Sequence, residues 1–123
     1  MNKKPLLLLV DDEDDVLDSL ARIIDSTGEF DYVLAKGGQE ALDVLYQHRR
    51  WGRLAKNKID GIILDVQMPG MTGLEFLKIW RKKESFLDLM PVILLTAHED
   101  EYIWTSSTDV GDGLVVSLSL IHI

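Results

Sequence analysis

Residues 62–70 read Ile-Ile-Leu-Asp-Val-Gln-Met-Pro-Gly, and the apolar start of this stretch ends at the carboxylate of Asp65. A second apolar run, Leu6–Val10, ends in the same way, because Asp11 and Asp12 follow it directly. Each run has the length and composition of a buried strand. Burying a lone carboxylate costs much free energy, so carboxylates at two strand ends indicate a functional site. If the two strands are neighbours in a parallel sheet, the three aspartates meet at its carboxyl edge, where open α/β folds bind ligands.

Strand and helix signals alternate along the chain. The helical spacing of apolar residues from Asp14 to Ile24 predicts a helix that ends at Gly28. Further strands are predicted at Tyr32–Ala35, Gly61–Leu64 and Val92–Leu95 and from Leu114 onward, and further helices begin near Gln39, Leu74 and Asp100. The order βαβαβαβαβ predicts a parallel sheet with right-handed crossovers and helices on both faces.

Length and composition narrow the class of protein. The 123 residues suit one domain, and the absence of cysteine excludes disulfides and thiol chemistry. No apolar stretch reaches the roughly 18 to 20 residues that span a membrane, and the N-terminus lacks the layout of a secretion signal. We therefore expect a cytoplasmic protein without a membrane contact.

The charge of the chain bears on its partners. A net charge of −8 disfavours direct binding to nucleic acid, which requires a basic surface. Five basic residues nevertheless lie within residues 49–58. This basic window is either a partner surface or a solvated helix end and loop.

The predicted cluster of aspartates suits a metal ion. Three carboxylates repel one another unless a cation neutralises them, and an all-oxygen site with room for water suits Mg²⁺. An aspartate on Mg²⁺ can also attack phosphorus and form an acyl phosphate. Thr96, at the end of the next predicted strand, is placed to donate a hydrogen bond to a phosphoryl oxygen. Taken alone, Thr96 is more simply a helix N-cap before His98.

Four segments, in order, resemble the receiver domain of two-component response regulators. They are Leu8–Glu13, Gly38–Leu42, Leu64–Gly73 and Pro91–Ala97, and the resemblance is strongest over residues 6–111. It implies a flavodoxin-like, doubly wound α/β fold with five parallel strands in the order 2-1-3-4-5. Residues 1–123 would form a single receiver domain in which residues 112–123 are an atypical tail.

The resemblance also implies a role for each residue of the pocket. Asp65 would be the phosphoacceptor, charged by a histidine kinase or a phosphotransfer protein. Asp12 would bind Mg²⁺ directly and Asp11 through water, while Asp65 and the backbone carbonyl of Gln67 would complete the protein ligands. Thr96 would supply the switch hydroxyl. Gln67 and His98 would tune the lifetime of the acyl phosphate. A solvated loop histidine is an equally good interpretation of His98.

The C-terminal end departs from the family pattern. Receivers carry a lysine at the end of the fifth strand that pairs with the phosphoryl group, but no lysine or arginine follows Lys83. Depending on the alignment, Ser117 or Leu118 takes the place of that lysine. The chain also reaches Ile123 where the fifth helix would begin, so we expect this helix to be missing or replaced.

Together these patterns favour a phosphoacceptor domain in two-component signal transduction, with only slow self-catalysed phosphoryl transfer and autodephosphorylation. A hydrolase of the haloacid dehalogenase type also uses a strand-end aspartate on Mg²⁺, but it needs a carboxylate two positions later, where this chain has Gln67. The alternative is a degenerate receiver that acts as an interaction or dimerisation module without productive phosphorylation. Residues 114–123 carry no formal charge and alternate apolar and small polar residues, which predicts self-association through an edge strand.

Overall fold

The computed structural model describes residues 3–49, 57–65, 70–83, 91–96 and 115–119, with the backbone alone for residues 81, 83, 96 and 115–119. Within these ranges there are five strands and three helices. In chain order they are β1 (Leu6–Val10), α1 (Asp14–Thr27), β2 (Asp31–Ala35), α2 (Gly38–Gln47), β3 (Gly61–Asp65), α3 (Gly73–Lys83), β4 (Val92–Thr96) and β5 (Val115–Ser119). Strand and helix alternate from β1 to β4. The helix predicted to begin near Asp100 and the predicted change at the fifth helix lie outside the described residues.

All five strands are parallel and lie in the order β2-β1-β3-β4-β5. The predicted flavodoxin-like, doubly wound α/β fold is therefore confirmed. β1 lies between β2 and β3, and Val10 at its end is the register partner of Leu64. Since the next residues along these two strands are Asp11 and Asp65, both carboxylates lie at the same edge of the sheet.

The two faces of the sheet are covered by different helices. Successive residues of a strand point to opposite faces, and β1 shows this clearly. Leu8 and Val10 belong to a core that also contains buried residues of α2 and α3, whereas Leu9 packs with Leu17 and Ile24 of α1. Because both faces are buried, the central strands are apolar at almost every position rather than alternating.

The helix signals in the sequence correspond to observed helix ends. Asp14 and Asp15 lie in the first turn of α1, where negative charge favours the helix dipole. Gly28 ends α1 with φ 67° and ψ 8°, and its N–H donates a hydrogen bond to the carbonyl of Asp25. This left-handed conformation favours glycine, so the predicted stop is confirmed. The helix continues to Thr27, three residues beyond the apolar pattern that predicted it.

The buried face of α3 contains two aromatic residues. Phe76 is fully buried, Leu77 and Trp80 are buried beside it, and Leu74 is half-buried at the margin of the core. Phe76 is the residue next to Leu77 and four positions before Trp80, so all three lie on one helical face.

Asn57 connects the end of α2 to the start of β3. Its side chain is 5% exposed; Nδ2 donates to the carbonyl of Leu45, and Oδ1 accepts from the N–H of Ile59, both at 2.9 Å. We expect Asn57→Leu to lower the free energy of unfolding by about 1 to 3 kcal/mol, because buried backbone groups lose their partner. Urea unfolding of this variant, with the exposed neighbour Lys58→Leu as control, measures the effect. Equal midpoints for the two variants would contradict it.

Candidate metal centre

Three carboxylates meet at the carboxyl edge of the sheet. Asp11 and Asp12 follow β1 directly, and Asp65 is the last residue of β3. Each offers a carboxylate oxygen that lies within 4.8 Å of the oxygens offered by the other two. Asp11 is 5% exposed, and Asp12 and Asp65 are both more exposed than Asp11. The juxtaposition predicted from the two apolar runs is therefore present in the structure.

Asp11 is the most constrained member of the cluster. Its N–H donates to the carbonyl of Ala35 at 3.1 Å, and its Oδ1 accepts from the N–H of Glu13 at 2.8 Å. Burial raises the pKa of the Asp11 carboxyl to about 6; the hydrogen bond from Glu13 opposes this rise, and the carboxylates of Asp65, Asp12 and Glu13 add to it. A bound cation would relieve both causes of the elevated pKa.

The donor set fits a hard cation. Carboxylate oxygens are the ligands that Mg²⁺ accepts, and neither Asp12 nor Asp65 is fully buried, which suits an ion that retains several water ligands. The hydrogen bond from the N–H of Glu13 already orders the Asp11 carboxylate, so its remaining oxygen is presented without a large loss of side-chain entropy on binding. The chemistry of these residues is thus suited to the predicted metal.

The other residues predicted for the site are described only in part. Thr96 is the last residue of β4, one position beyond Leu95, which is the register partner of Asp65. Its backbone therefore lies at the same sheet edge as the aspartates. Gln67 and His98 lie outside the described residues, so the roles assigned to them stay predictions.

Ser117 and Leu118 are the two candidates for the position where receivers carry a lysine. The register of β5 shows which of them lies level with Asp65. The row of Asp65 and Leu95 continues to Leu118, while Ser117 lies in the preceding row beside Leu94. Neither residue can carry a positive charge. Whichever alignment is used, β5 brings no cation to the row of Asp65.

The hydrogen bond from the N–H of Glu13 to the side chain of Asp11 was not predicted from the sequence. It is a hydrogen bond from a backbone N–H to an aspartate side chain two residues earlier, a local turn that aspartate forms readily. The signal was available in the sequence as an aspartate directly after a strand and before a helix. The contact of Gly38 with Met71, described below, had no such local signal.

Comparison with known proteins decides the family. Residues 7–112 match the family model described as the response regulator receiver domain. The chain belongs to this family. Receiver domains are signalling domains rather than enzymes in the usual sense, and they bind Mg²⁺ at an acidic pocket, for which this chain has the cluster of Asp11, Asp12 and Asp65.

Curated relatives of this receiver domain are response regulators. It is 34% identical over 105 residues to response regulator MprA of Mycobacterium sp. (strain KMS), an alignment that covers 85% of this chain and 40% of MprA. It is 32% identical over 102 residues to the alkaline phosphatase synthesis transcriptional regulatory protein PhoP of Bacillus subtilis, covering 83% of this chain and 36% of PhoP. The chain thus spans less than half the length of these relatives.

Solved structures of receiver domains share the fold. The chemotaxis protein CheY4 of Vibrio cholerae superposes with a TM-score of 0.79 and 27% identity, covering 96% of this chain and 88% of CheY4. The response regulator TrrA of Thermotoga maritima, in complex with Mg²⁺ and BeF, superposes with a TM-score of 0.71 and 30% identity, covering 94% of this chain and 88% of TrrA.

Among the described residues of the receiver domain, no helix is both long and apolar enough to cross a membrane.

The elevated pKa of Asp11 predicts a dependence of stability on pH. A carboxyl with a pKa raised from 3.8 to about 6 on folding binds its proton more tightly in the folded state. The metal-free fold therefore loses stability as the pH rises through this window, and the full penalty is present at neutral pH. We expect Asp11→Asn to raise the metal-free free energy of unfolding at neutral pH by about 1 to 3 kcal/mol, with little effect below about pH 4. Urea unfolding in EDTA at both pH values tests this, and an equal effect at both would contradict it.

Proposed function

We propose that the domain accepts a phosphoryl group on Asp65 from a histidine kinase or a phosphotransfer protein and changes conformation in two-component signal transduction. The observation that carries this proposal is the convergence of Asp65 with Asp11 and Asp12 at one sheet edge. The family match supports it, because the matched residues include all three aspartates.

Each of the three aspartates would hold Mg²⁺ in a different way. Asp12 would hold Mg²⁺ directly, Asp11 through a water molecule, and Asp65 together with the backbone carbonyl of Gln67 would complete the protein ligands. Bound at this site, the ion would neutralise the charge that the carboxylates and the incoming phosphoryl oxygens bring together. Asp65 is only partly buried, which suits a residue that a phosphodonor must reach.

The transfer itself is a displacement at phosphorus. An oxygen of the Asp65 carboxylate attacks the phosphorus atom, the bond from phosphorus to the donor nitrogen or oxygen breaks, and the donor leaves with the bonding electron pair. Hydrolysis of the acyl phosphate by water later restores the carboxylate and releases phosphate. Both steps are slow when the domain acts alone, which suits a switch rather than a catalyst with turnover.

The remaining family positions would serve the switch. Thr96 would donate its hydroxyl to a phosphoryl oxygen, and Gln67 and His98 would set the lifetime of the acyl phosphate. Because β5 lacks a lysine, one charge-assisted contact to the phosphoryl group is missing. Such a contact contributes about 1.5 to 3 kcal/mol, so we expect a low yield of phosphorylated protein and a weak conformational response.

Self-association through residues 114–123 also stays a proposal. β5 is an edge strand of the described sheet, and an edge strand can pair with another chain.

The degenerate receiver, an interaction module without phosphorylation, is the second candidate function. The intact aspartate cluster favours phosphorylation over it, since an interaction module would not need three carboxylates at a strand edge.

Intact-mass spectrometry after treatment with acetyl phosphate tests the function. We expect one added phosphoryl group in the presence of Mg²⁺ and none in EDTA, because the carboxylates repel the donor without the cation. A protein that binds Mg²⁺ but takes up no phosphoryl group from acetyl phosphate or from a phosphohistidine donor would contradict the proposal and favour the degenerate receiver.

A further inference from the structure

The start of α2 and the segment that leads into α3 touch at a glycine. Gly38, the first residue of α2, is buried, and a Cβ built on it would lie 2.7 Å from Sδ of Met71 and 2.9 Å from its Cγ. Nonbonded carbon atoms pack at about 3.5 to 4.0 Å. Any side chain at Gly38 would therefore require Met71 to move.

Met71 also lies at a fixed point of the chain. The next residue, Thr72, caps α3: its carbonyl accepts from the N–H of Phe76 at 2.9 Å, and its Oγ1 accepts from the N–H of Glu75 at 3.1 Å. Met71 itself is half-buried and packs against the core that α2 and α3 share. Met71 thus contacts α2 and directly precedes the cap of α3. It lies six residues after Asp65, the last residue of β3.

The other side of the same contact leads to the metal centre. Gly38 is the third residue after the end of β2, and the last residue of β2, Ala35, accepts the hydrogen bond from the N–H of Asp11 at 3.1 Å. The contact between Gly38 and Met71 therefore closes a ring of connections. One branch runs from Asp11 through Ala35 to Gly38. The other is the covalent chain from Asp65 to Met71, of which residues 66–69 lie outside the described part of the structure.

We infer that Met71, seated against the bare backbone of Gly38, is a positioning residue for the phosphoacceptor site. It fixes the end of the connection that begins at Asp65, and so the separation of Asp65 from Asp11 and Asp12. The inference rests on the proposed function, because it concerns how the same site binds Mg²⁺ and accepts a phosphoryl group. Gly38 is required here for the close approach of a side chain and not for a left-handed conformation.

The neighbouring glycine provides a matched control. A Cβ built on Gly37 meets no atom within 4 Å, and its φ of 169° is extended backbone that any residue adopts. Gly37→Ala and Gly38→Ala are therefore the same chemical change at adjacent positions, with and without a clash. Because Gly37 is the N-cap of α2, where alanine is less favourable than glycine, the comparison rests on Mg²⁺ affinity and phosphoryl uptake rather than on stability. Helix propensity alone would favour alanine at Gly38, since glycine is a poor helix former. A loss of function on Gly38→Ala therefore cannot come from propensity.

The experiment compares Gly37→Ala, Gly38→Ala, Met71→Ala and the double variant Gly38→Ala/Met71→Ala. Mg²⁺ affinity is measured by NMR titration of the metal-free protein, phosphoryl uptake by intact mass at saturating Mg²⁺, and stability by urea unfolding. We expect Gly38→Ala to raise the Kd for Mg²⁺ by about threefold or more and to slow phosphoryl uptake by about tenfold, while Gly37→Ala matches the wild type. Because Met71→Ala deletes the two closest atoms and leaves only Cβ, at 3.1 Å, adding Gly38→Ala to it should cause a smaller loss than Gly38→Ala causes in the wild type.

The outcomes separate this inference from the proposed function. If Gly38→Ala loses only stability, with Mg²⁺ affinity and phosphoryl uptake equal to those of Gly37→Ala, the contact is structural and the inference is overturned. If Gly38→Ala does not fold, Met71→Ala decides, and unchanged affinity and uptake in that variant overturn the inference. A wild-type domain that binds Mg²⁺ but accepts no phosphoryl group defeats the proposed function alone, while the Mg²⁺ affinities still test the positioning role.

Discussion

Asp65→Asn should take up no phosphoryl group from acetyl phosphate under conditions in which the wild-type domain is phosphorylated. The carboxamide of asparagine has nearly the shape of the carboxylate, but it lacks the negative charge and the nucleophilic oxygen that forms an acyl phosphate. Intact-mass spectrometry measures this directly. Because the other carboxylates would remain, phosphate on the Asp65→Asn protein would show that the acceptor is a different residue.

The same variant should change the titration of its neighbour. The Asp65 carboxylate is one of the charges that raise the pKa of Asp11, so removing it should lower the pKa of Asp11, as followed by carboxyl NMR. For phosphoryl uptake, Asp60→Asn is the matched control. Asp60 lies one residue before β3, at the opposite edge of the sheet, where its carboxylate accepts from the N–H of Leu6 at 2.8 Å. This variant should retain full phosphoryl uptake.

Asp12→Ala should weaken Mg²⁺ binding by at least about tenfold, or about 1.4 kcal/mol. The variant removes one of the three carboxylates that converge at the site, and the proposed site assigns it a direct bond to the ion. In the wild-type domain Mg²⁺ should raise the midpoint of thermal unfolding, since a ligand that binds only the folded state stabilises it. The variant should show little of this rise.

Asp15→Ala controls for the loss of one negative charge from the same acidic run. Asp15 is exposed in the first turn of α1 and is not part of the carboxylate cluster. It should leave the Mg²⁺ response close to that of the wild type. An Asp12→Ala domain whose unfolding midpoint and NMR shifts respond to Mg²⁺ as the wild type does would sink the assignment of the site.

Local features of the sequence were sufficient to predict the strands and helices that the structure describes. The length of each apolar run, the spacing of apolar residues in α1 and the glycine at position 28 act through near neighbours in the chain, so they can be interpreted without a structure. The position of Asp65 at the end of one run and of Asp11 and Asp12 after another was equally visible. The strand order that makes these runs neighbours came from the resemblance to receiver domains, because periodicity does not state which strands pair.

The tertiary structure decided what depends on groups far apart in the chain. The pKa of Asp11 is raised mainly by burial, which arises only when helices cover the sheet. The contact of Gly38 with Met71 joins two segments that are separated by the whole of β3, and no local pattern records it. By itself, the sequence determined the order of strands and helices and the positions of the carboxylates, because local burial and periodicity are encoded in neighbouring residues. Packing between distant segments determined how closely the carboxylates meet and what holds them there.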